Sequence, residues 1–291
     1  MAVRPEVTTP SRSRDRLSGL GTRVLSAAVF GPCLVIIAWR GEHYFVLLVN
    51  LLLVTAVWEF QRMVAAKGLE PDAFVGFTSA VVFPWAVYLG GGVWADVALA
   101  GLLVAMLIRA TLRAEARDAI LRAGVTSFGF LWLVWLGSHL VSLRELPRTV
   151  VRPDASGFAF VLLAFVFVWV SDTGGYLVGS LLGRHKLAPG ISPGKTVEGS
   201  VGAIVLTLAA GVAASWTFLA SVLTPFSGAL LGLLASVVGQ IGDLLESLLK
   251  RDANVKDASH VIPGHGGVLD RFDSVLFVGP LLYYALRFIV L

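Results

Sequence analysis

Residues 157–182 read GFAFVLLAFVFVWVSDTGGYLVGSLL, an apolar block broken by a charge only at Asp172. A helix needs roughly 20 predominantly apolar residues to cross the hydrocarbon core of a bilayer, and this block is long enough. Similar blocks lie on both sides of it, at about 22–39, 44–60, 74–90, 92–108, 125–143, 199–222, 226–249 and 272–291. The pattern predicts an all-α polytopic membrane protein with about nine transmembrane helices. Composition agrees: 56% of the 291 residues are hydrophobic, 14% are charged, and mean hydropathy is +0.81. Soluble domains sit near about 45–50% apolar and about 25% charged. A soluble enzyme, a disordered chain and a disulfide-built secreted scaffold are therefore excluded. The single cysteine, Cys33, lies in an apolar run, so neither an intrachain disulfide nor a cysteine-based metal site is available.

Charge sets the expected orientation. With the N-terminus cytoplasmic, the inside segments hold 18 of the 23 basic residues, including Arg4, Arg12, Arg14, Arg16 and the cluster Arg109, Arg113, Arg117 and Arg122. Arg40, Arg144, Arg148, Arg152 and Arg287 stay outside. The positive-inside rule then favours N-in, C-out. The net charge of +4 is read as cations beside lipid headgroups and in loops, with no nucleic-acid partner. The basic start followed by a long apolar stretch without a small-residue cleavage site reads as a retained first span. The chain divides into a basic N-terminal segment, 1–21, a first set of helices, 22–150, and a C-terminal region, 151–291, that carries the chemistry. Short loops and no organelle signal point to a bacterial inner membrane.

The most informative polar stretch is 243–273. Asp243, Glu246 and Lys250 are spaced by three and four, which places them on one helical face. An acidic group within a span costs about 2.5–3.5 kcal/mol on insertion scales unless it faces protein, water or a cation. Asp270 and Asp273 repeat the spacing of three at the start of the last block. Four carboxylates around a loop with Lys250, Arg251, Lys256, His265 and Arg271 suggest a hard-cation site ringed by anion-binding groups. Oxygen ligands without sulfur favour Mg²⁺ over Zn²⁺. Pro263-Gly264-His265-Gly266-Gly267 would let backbone N–H groups approach an anion. The bland alternative is helix caps, ion pairs and a tight turn.

A second stretch comprises Ser171-Asp172-Thr173-Gly174-Gly175-Tyr176, Gly183-Arg184-His185-Lys186, and Ile191-Ser192-Pro193-Gly194-Lys195-Thr196-Val197-Glu198-Gly199. Gly194-Lys195-Thr196 resembles the end of a P-loop, but the motif requires glycine where Pro189 stands and a strand where an apolar helix precedes. A Walker site is rejected. What remains is a basic, hydroxyl-rich loop before a helix N-terminus, suited to phosphates, or else a positive-inside loop with a Ser/Thr cap. On the expected topology this loop and the 250–271 loop share the cytoplasmic side, across one cavity. His43 and His139 read as interfacial, the tryptophans as belt or packing residues, and 109–122 as a solvated or headgroup-facing helix.

Ser247-Leu248-Leu249-Lys250-Arg251, then Lys256-Asp257, then Pro263 through Asp273 resembles the signature of the phosphatidate cytidylyltransferases, the CDP-diacylglycerol synthases. Every signature position is filled from Ser247 to Asp273. Residues 172–199 are similar to the family's Asp-x-x-Ala-Tyr-x-x-Gly and Ser-Pro-Lys-Lys-Thr-x-Glu-Gly elements, with Gly175 for Ala and Gly194 for the first Lys. The likeness is sharp over the last 120 residues or so and only topological before them. It implies CTP plus phosphatidic acid giving CDP-diacylglycerol and pyrophosphate, with Mg²⁺, room for a monovalent cation such as K⁺, and a homodimer. It also implies Asp243 and Asp270 as main metal ligands, with Glu246 and Asp273 as further ones. Lys250, Arg251, Lys256 and Arg271 would neutralise phosphates, while Ser192, Lys195, Thr196 and Ser247 would hold substrate. His265, Gly266 and Gly267 would shape the phosphate turn, and Asp172 would support metal or nucleotide. The competing readings are a cation- or proton-coupled transporter, another CTP-dependent lipid enzyme (a lipid-alcohol kinase or an ether-lipid synthase), and a purely structural scaffold. The transporter predicts mid-bilayer carboxylates in symmetry-related halves, whereas the carboxylates here gather in the last third of the chain.

Overall fold

A computed structural model describes residues 28, 30–113, 118–150, 155–259, 261–262 and 266–290. Among them, seven helical segments are long and apolar enough to cross a membrane. They are α2 (Glu42–Ala65), α3 (Ala73–Leu112), the run Ala119–Thr149, α6 (Gly157–Leu182), α7 (Val197–Trp216), α8 (Pro225–Asp252) and the run Leu269–Val290. The third run joins α4 (Ala119–Gly129) to α5 (Leu136–Thr149) through a π-helical turn, and the last begins with α9 (Leu269–Ala285). A shorter apolar helix, α1 (Phe30–Arg40), precedes them. Two short strands, β1 (Lys186–Ala188) and β2 (Ser192–Thr196), pair antiparallel between α6 and α7. The protein is an all-α polytopic membrane protein.

Nine separate blocks were expected; block 22–39 begins outside the described residues and is seen as the shorter α1, and two others fall together in α3. A straight helix of 40 residues would be about 60 Å long, yet the two ends of α3 touch. Arg109 Nε donates to both carboxylate oxygens of Asp72, the residue capping the start of α3, at 3.1 and 2.9 Å. Arg113 approaches the same carboxylate at 3.3 Å. The chain reverses at Gly91, whose φ of 59° and ψ of −142° are not helical and lie where a side chain is disfavoured. Blocks 74–90 and 92–108 are thus the two arms of one helical hairpin. Burial works against ionisation of Asp72, but the bonds from Arg109 and Val75 and the charge of Arg113 outweigh it and hold its carboxyl below the usual range. That ion pair therefore contributes at neutral pH and is lost only as pH falls through the depressed pKa. The 109–122 stretch is accordingly not one solvated helix. It contains the end of α3 pinned to Asp72 and the start of α4, and residues 114–117 lie outside the described ones, as does the 1–21 segment.

His139 is buried within the protein, with Nδ1 2.9 Å from the Trp135 carbonyl and Nε2 3.2 Å from the Tyr284 hydroxyl. A helix can bury such a ring when its own backbone supplies one partner and a neighbouring helix, here α9, the other. His43 is exposed.

The C-terminal helices pack through small residues, as membrane helices do where no hydrophobic force drives them together. Gly211 on α7 and Gly228 on α8 sit so close that a methyl on either would overlap the other's carbonyl. Gly228→Val is expected to cost about 1–3 kcal/mol through overpacking, read as a lower melting temperature in detergent. Gly101→Val, where nothing lies within 4 Å, is the control and should leave it unchanged. Equal melting of the two variants would refute the contact.

Candidate active site

Four carboxylates and one lysine meet where α8 ends and α9 begins. The 3.6-residue repeat puts Asp243, Glu246 and Lys250 on one face of α8, while Asp270 and Asp273 occupy the first turns of α9. Oxygens of Asp243, Glu246 and Asp273 all lie within 4.8 Å of one another. Glu246 is 1% and Asp273 9% exposed. Lys250 Nζ stands 2.7 Å from Glu246 and 2.6 Å from Asp270. The structure thus groups Asp243 with Glu246 and Asp273, rather than with Asp270 as expected. Both Asp270 oxygens are already engaged: one takes Lys250, and the other accepts the backbone N–H groups of Gly267 at 2.8 Å and Ala258 at 3.1 Å.

Glu246 Oε1 is buried and has no hydrogen-bond partner among the described residues. A buried acceptor left bare is costly. Its neighbours are more carboxylate oxygens, so a cation is the partner that fits. An all-oxygen donor set suits a hard divalent ion.

The 183–196 segment comes to this cluster from the other side. It is a two-stranded hairpin rather than an irregular loop. Glu198 ties down its base, accepting the backbone N–H groups of Arg184 at 3.0 Å and His185 at 3.2 Å while contacting His185 Nδ1 at 2.6 Å. Thr196 accepts the Gly199 N–H at 3.1 Å and so caps α7. Lys195 Nζ reaches within 2.5 Å of Asp243 Oδ2, without the angle of a hydrogen bond. Arg251 Nε donates to the Ile191 carbonyl at 3.3 Å. The two polar segments do face one another.

Two cavities open from here. One, about 530 Å³, is lined by Ser192, Lys195, Thr196, Gln240, Asp243 and other residues of α6 and α7. The second, about 690 Å³, has walls from α1 (Phe30, Leu34, Val35) and α6 (Phe165, Trp169), with Asp270, Arg271 and Asp273 at one end. Asp172 lines both. A chamber lined by hydroxyls, Gln240 and Lys195 and a more apolar one therefore share a border beside the carboxylates.

The remaining expected residues are more scattered. Ser247 Oγ donates to Asp243 at 3.4 Å. Lys256 is exposed on the turn after α8. Gly266 takes a positive φ of 89° and pairs with Ile262, while the Gly267 N–H points to Asp270 rather than into the cavity. His265, with Pro263 and Gly264, lies outside the described residues.

Ser200, Ser236, Gln240 and Glu59 were not expected from the sequence. Ser171 and Ser236 hydroxyls meet at 3.0 Å, and Gln240 donates to Ser236 at 3.1 Å while accepting from Ser200. This chain links α6, α8 and α7 at the cavity that holds Lys195. The spacing of Ser236, Gln240 and Asp243 by four and three was the available signal. Glu59 on α2 is fully buried and accepts backbone N–H groups from Val268 and Leu269. An acid within an apolar block was the only hint of it.

Comparison with known proteins bears on this geometry. The description of cytidylyltransferase family matches residues 21–289. The chain belongs to the cytidylyltransferase family. Among similar proteins is the phosphatidate cytidylyltransferase of Synechocystis sp., 34% identical over 283 residues, covering 90% of this chain and 94% of that one. The phosphatidate cytidylyltransferase of Bacillus subtilis is 34% identical over 270 residues, with 91% and 95% covered. That of Staphylococcus aureus is 31% identical over 264 residues, with 90% and 95% covered. Family membership thus extends over α1 to α9, well beyond the last 120 or so residues that carry the sharp motifs.

Proposed function

We propose that this family member transfers a cytidylyl group from CTP to phosphatidic acid, giving CDP-diacylglycerol and pyrophosphate. The observation that carries the reading is the shared border of the two cavities at Asp172, beside the carboxylate cluster. The chamber that holds Lys195, Ser192 and Thr196 suits a nucleoside triphosphate. An apolar chamber with Arg271 at its polar end suits a diacyl phosphate. Their common edge is where the two phosphates would meet.

In the reaction, a phosphate oxygen of phosphatidic acid bonds to the α-phosphorus of CTP. The bond from that phosphorus to the oxygen bridging to the β-phosphorus breaks, and its electron pair leaves with pyrophosphate. The attacking phosphate monoester has a second pKa of about 6, so it is largely dianionic at neutral pH and needs no strong general base. The barrier is electrostatic and positional. Lys195 is placed to leave Asp243 for an incoming phosphate. Arg251 and Arg271 flank the approach, and Lys250 holds Glu246 and Asp270 in register. Asp243, Glu246 and Asp273 would hold Mg²⁺, which when bound offsets charge on the phosphates. A site for K⁺ belongs to the same proposal and rests on the family resemblance.

The hairpin of α3 counts as two crossings and α1 as one, so the reading extends to nine. With the basic segments inside, the N-terminus and both cavities face the cytoplasm of a bacterial inner membrane. A homodimer follows from the family resemblance, and mass measurement in detergent tests it.

The deciding experiment measures pyrophosphate release by purified protein in mixed micelles. Release should require CTP, phosphatidic acid and Mg²⁺ together, and EDTA should abolish it. Folded protein that releases none across several phosphatidic acids would end the transferase reading. Undiminished release in EDTA would end the metal assignment alone.

A further inference from the structure

Helix α9 carries Asp270 and Asp273 but has no side-chain cap of its own. The first N–H groups of a helix have no partner within it. Here a residue more than two hundred positions earlier supplies one. Glu59 Oε1 accepts the Val268 N–H at 2.9 Å and the Ser259 hydroxyl at 2.5 Å, and Oε2 accepts the Leu269 N–H at 2.7 Å. The side chain is 0% exposed, and no cationic side chain pairs with it among the described residues. The positive end of the helix and three donors carry its charge.

The glycine motif fits this contact. A Cβ on Gly267 would lie 2.6 Å from Glu59 Oε1, so only glycine lets the carboxylate reach α9. Farther along the same side of the protein, just past the end of α2, Lys67 pairs with Asp252 at the end of α8 at 2.5 Å. The segment that carries Glu59 therefore holds both ends of the 253–268 turn.

We propose that Glu59 is a positioning residue for the transfer: by capping α9 it fixes Asp270 on Lys250 and Asp273 against Asp243 and Glu246. The physical reason is rotational. Each residue turns a helix by about 100°, so a slip of one residue at the start of α9 would carry Asp273 off the cluster. The inference rests on Asp243, Glu246 and Asp273 being the reacting site's carboxylates.

Glu59→Gln keeps the size of the side chain but turns an amide N–H₂ toward backbone donors. Hydrogen exchange of the protein in detergent, without substrates, should speed up at least about 10-fold for peptides within 266–275 and stay unchanged for 225–252. At saturating substrates kcat should fall at least about 10-fold, and the Mg²⁺ concentration for half-maximal rate should rise several-fold. KM for phosphatidic acid should stay within about twofold, because the apolar chamber is untouched. Glu59→Asp, which restores charge but is one methylene short, should fall between. Unchanged exchange and kcat in Glu59→Gln would overturn the proposal. So would faster exchange throughout the molecule with activity falling only as the folded fraction falls. Asp273→Asn run in parallel separates the two levels. If it stays active, the site reading fails and the inference with it; if it is inactive while Glu59→Gln behaves as wild type, only the role of Glu59 is lost.

Discussion

Asn in place of Asp243 keeps the shape of the side chain, removes its charge, and should lower pyrophosphate release at saturating substrates by at least about 100-fold. Asp243 faces two ways. It belongs to the carboxylate cluster with Glu246 and Asp273, and it is the counter-charge for Lys195 on the hairpin. Neutralising it takes a donor oxygen from the cluster and frees Lys195 from its present position. The fold should lose only part of its stability, because stranding the buried Lys195 Nζ is offset by relief of like-charge crowding around Asp273. Activity and melting temperature of the purified variant check this together. Activity within threefold of wild type would remove Asp243 from the chemistry. A collapse of melting temperature would make it a structural residue instead.

Lys250→Met has the second large expected effect, on stability as well as rate. Lys250 bridges Glu246 and Asp270, and its own side chain is 14% exposed. Methionine fills similar space but leaves two carboxylates facing one another with little water. Breaking a buried pair by removing one partner costs about 3–5 kcal/mol. The variant should therefore melt clearly lower and be inactive. Adding Asp270→Asn should recover part of the melting temperature, since one stranded charge is gone, and none of the activity. Recovery of activity in the double variant would show that the bridge is structural only. An unchanged melting temperature in the single variant would show that water reaches the pair.

Much of this was legible in the sequence because membrane solvent imposes strict local rules. Apolar blocks of span length, a charge bias between loops, and carboxylates at spacings of three and four are one-dimensional signals. They identified the helical class and the face shared by Asp243, Glu246 and Lys250. The family resemblance, carried by Ser247 through Asp273, agreed with the membership later found along nearly the whole chain.

Other features were settled by distances no linear pattern contains. Only the contact of Arg109 with Asp72 shows that the two arms of α3 fold back side by side. Asp270 and Asp273 look equivalent by spacing. Only the approach of Lys250 and the 258–267 backbone makes one an anchor and the other a member of the cluster. His139 and Glu59 were ambiguous for the same reason, since burial depends on what other helices bring. The sequence by itself determined the helical membrane class and which residues carry charge, because solvent and helix periodicity act locally. Tertiary structure alone decided which charges meet and which chamber α1 lines, because those depend on packing between residues as far apart as Glu59 and Leu269.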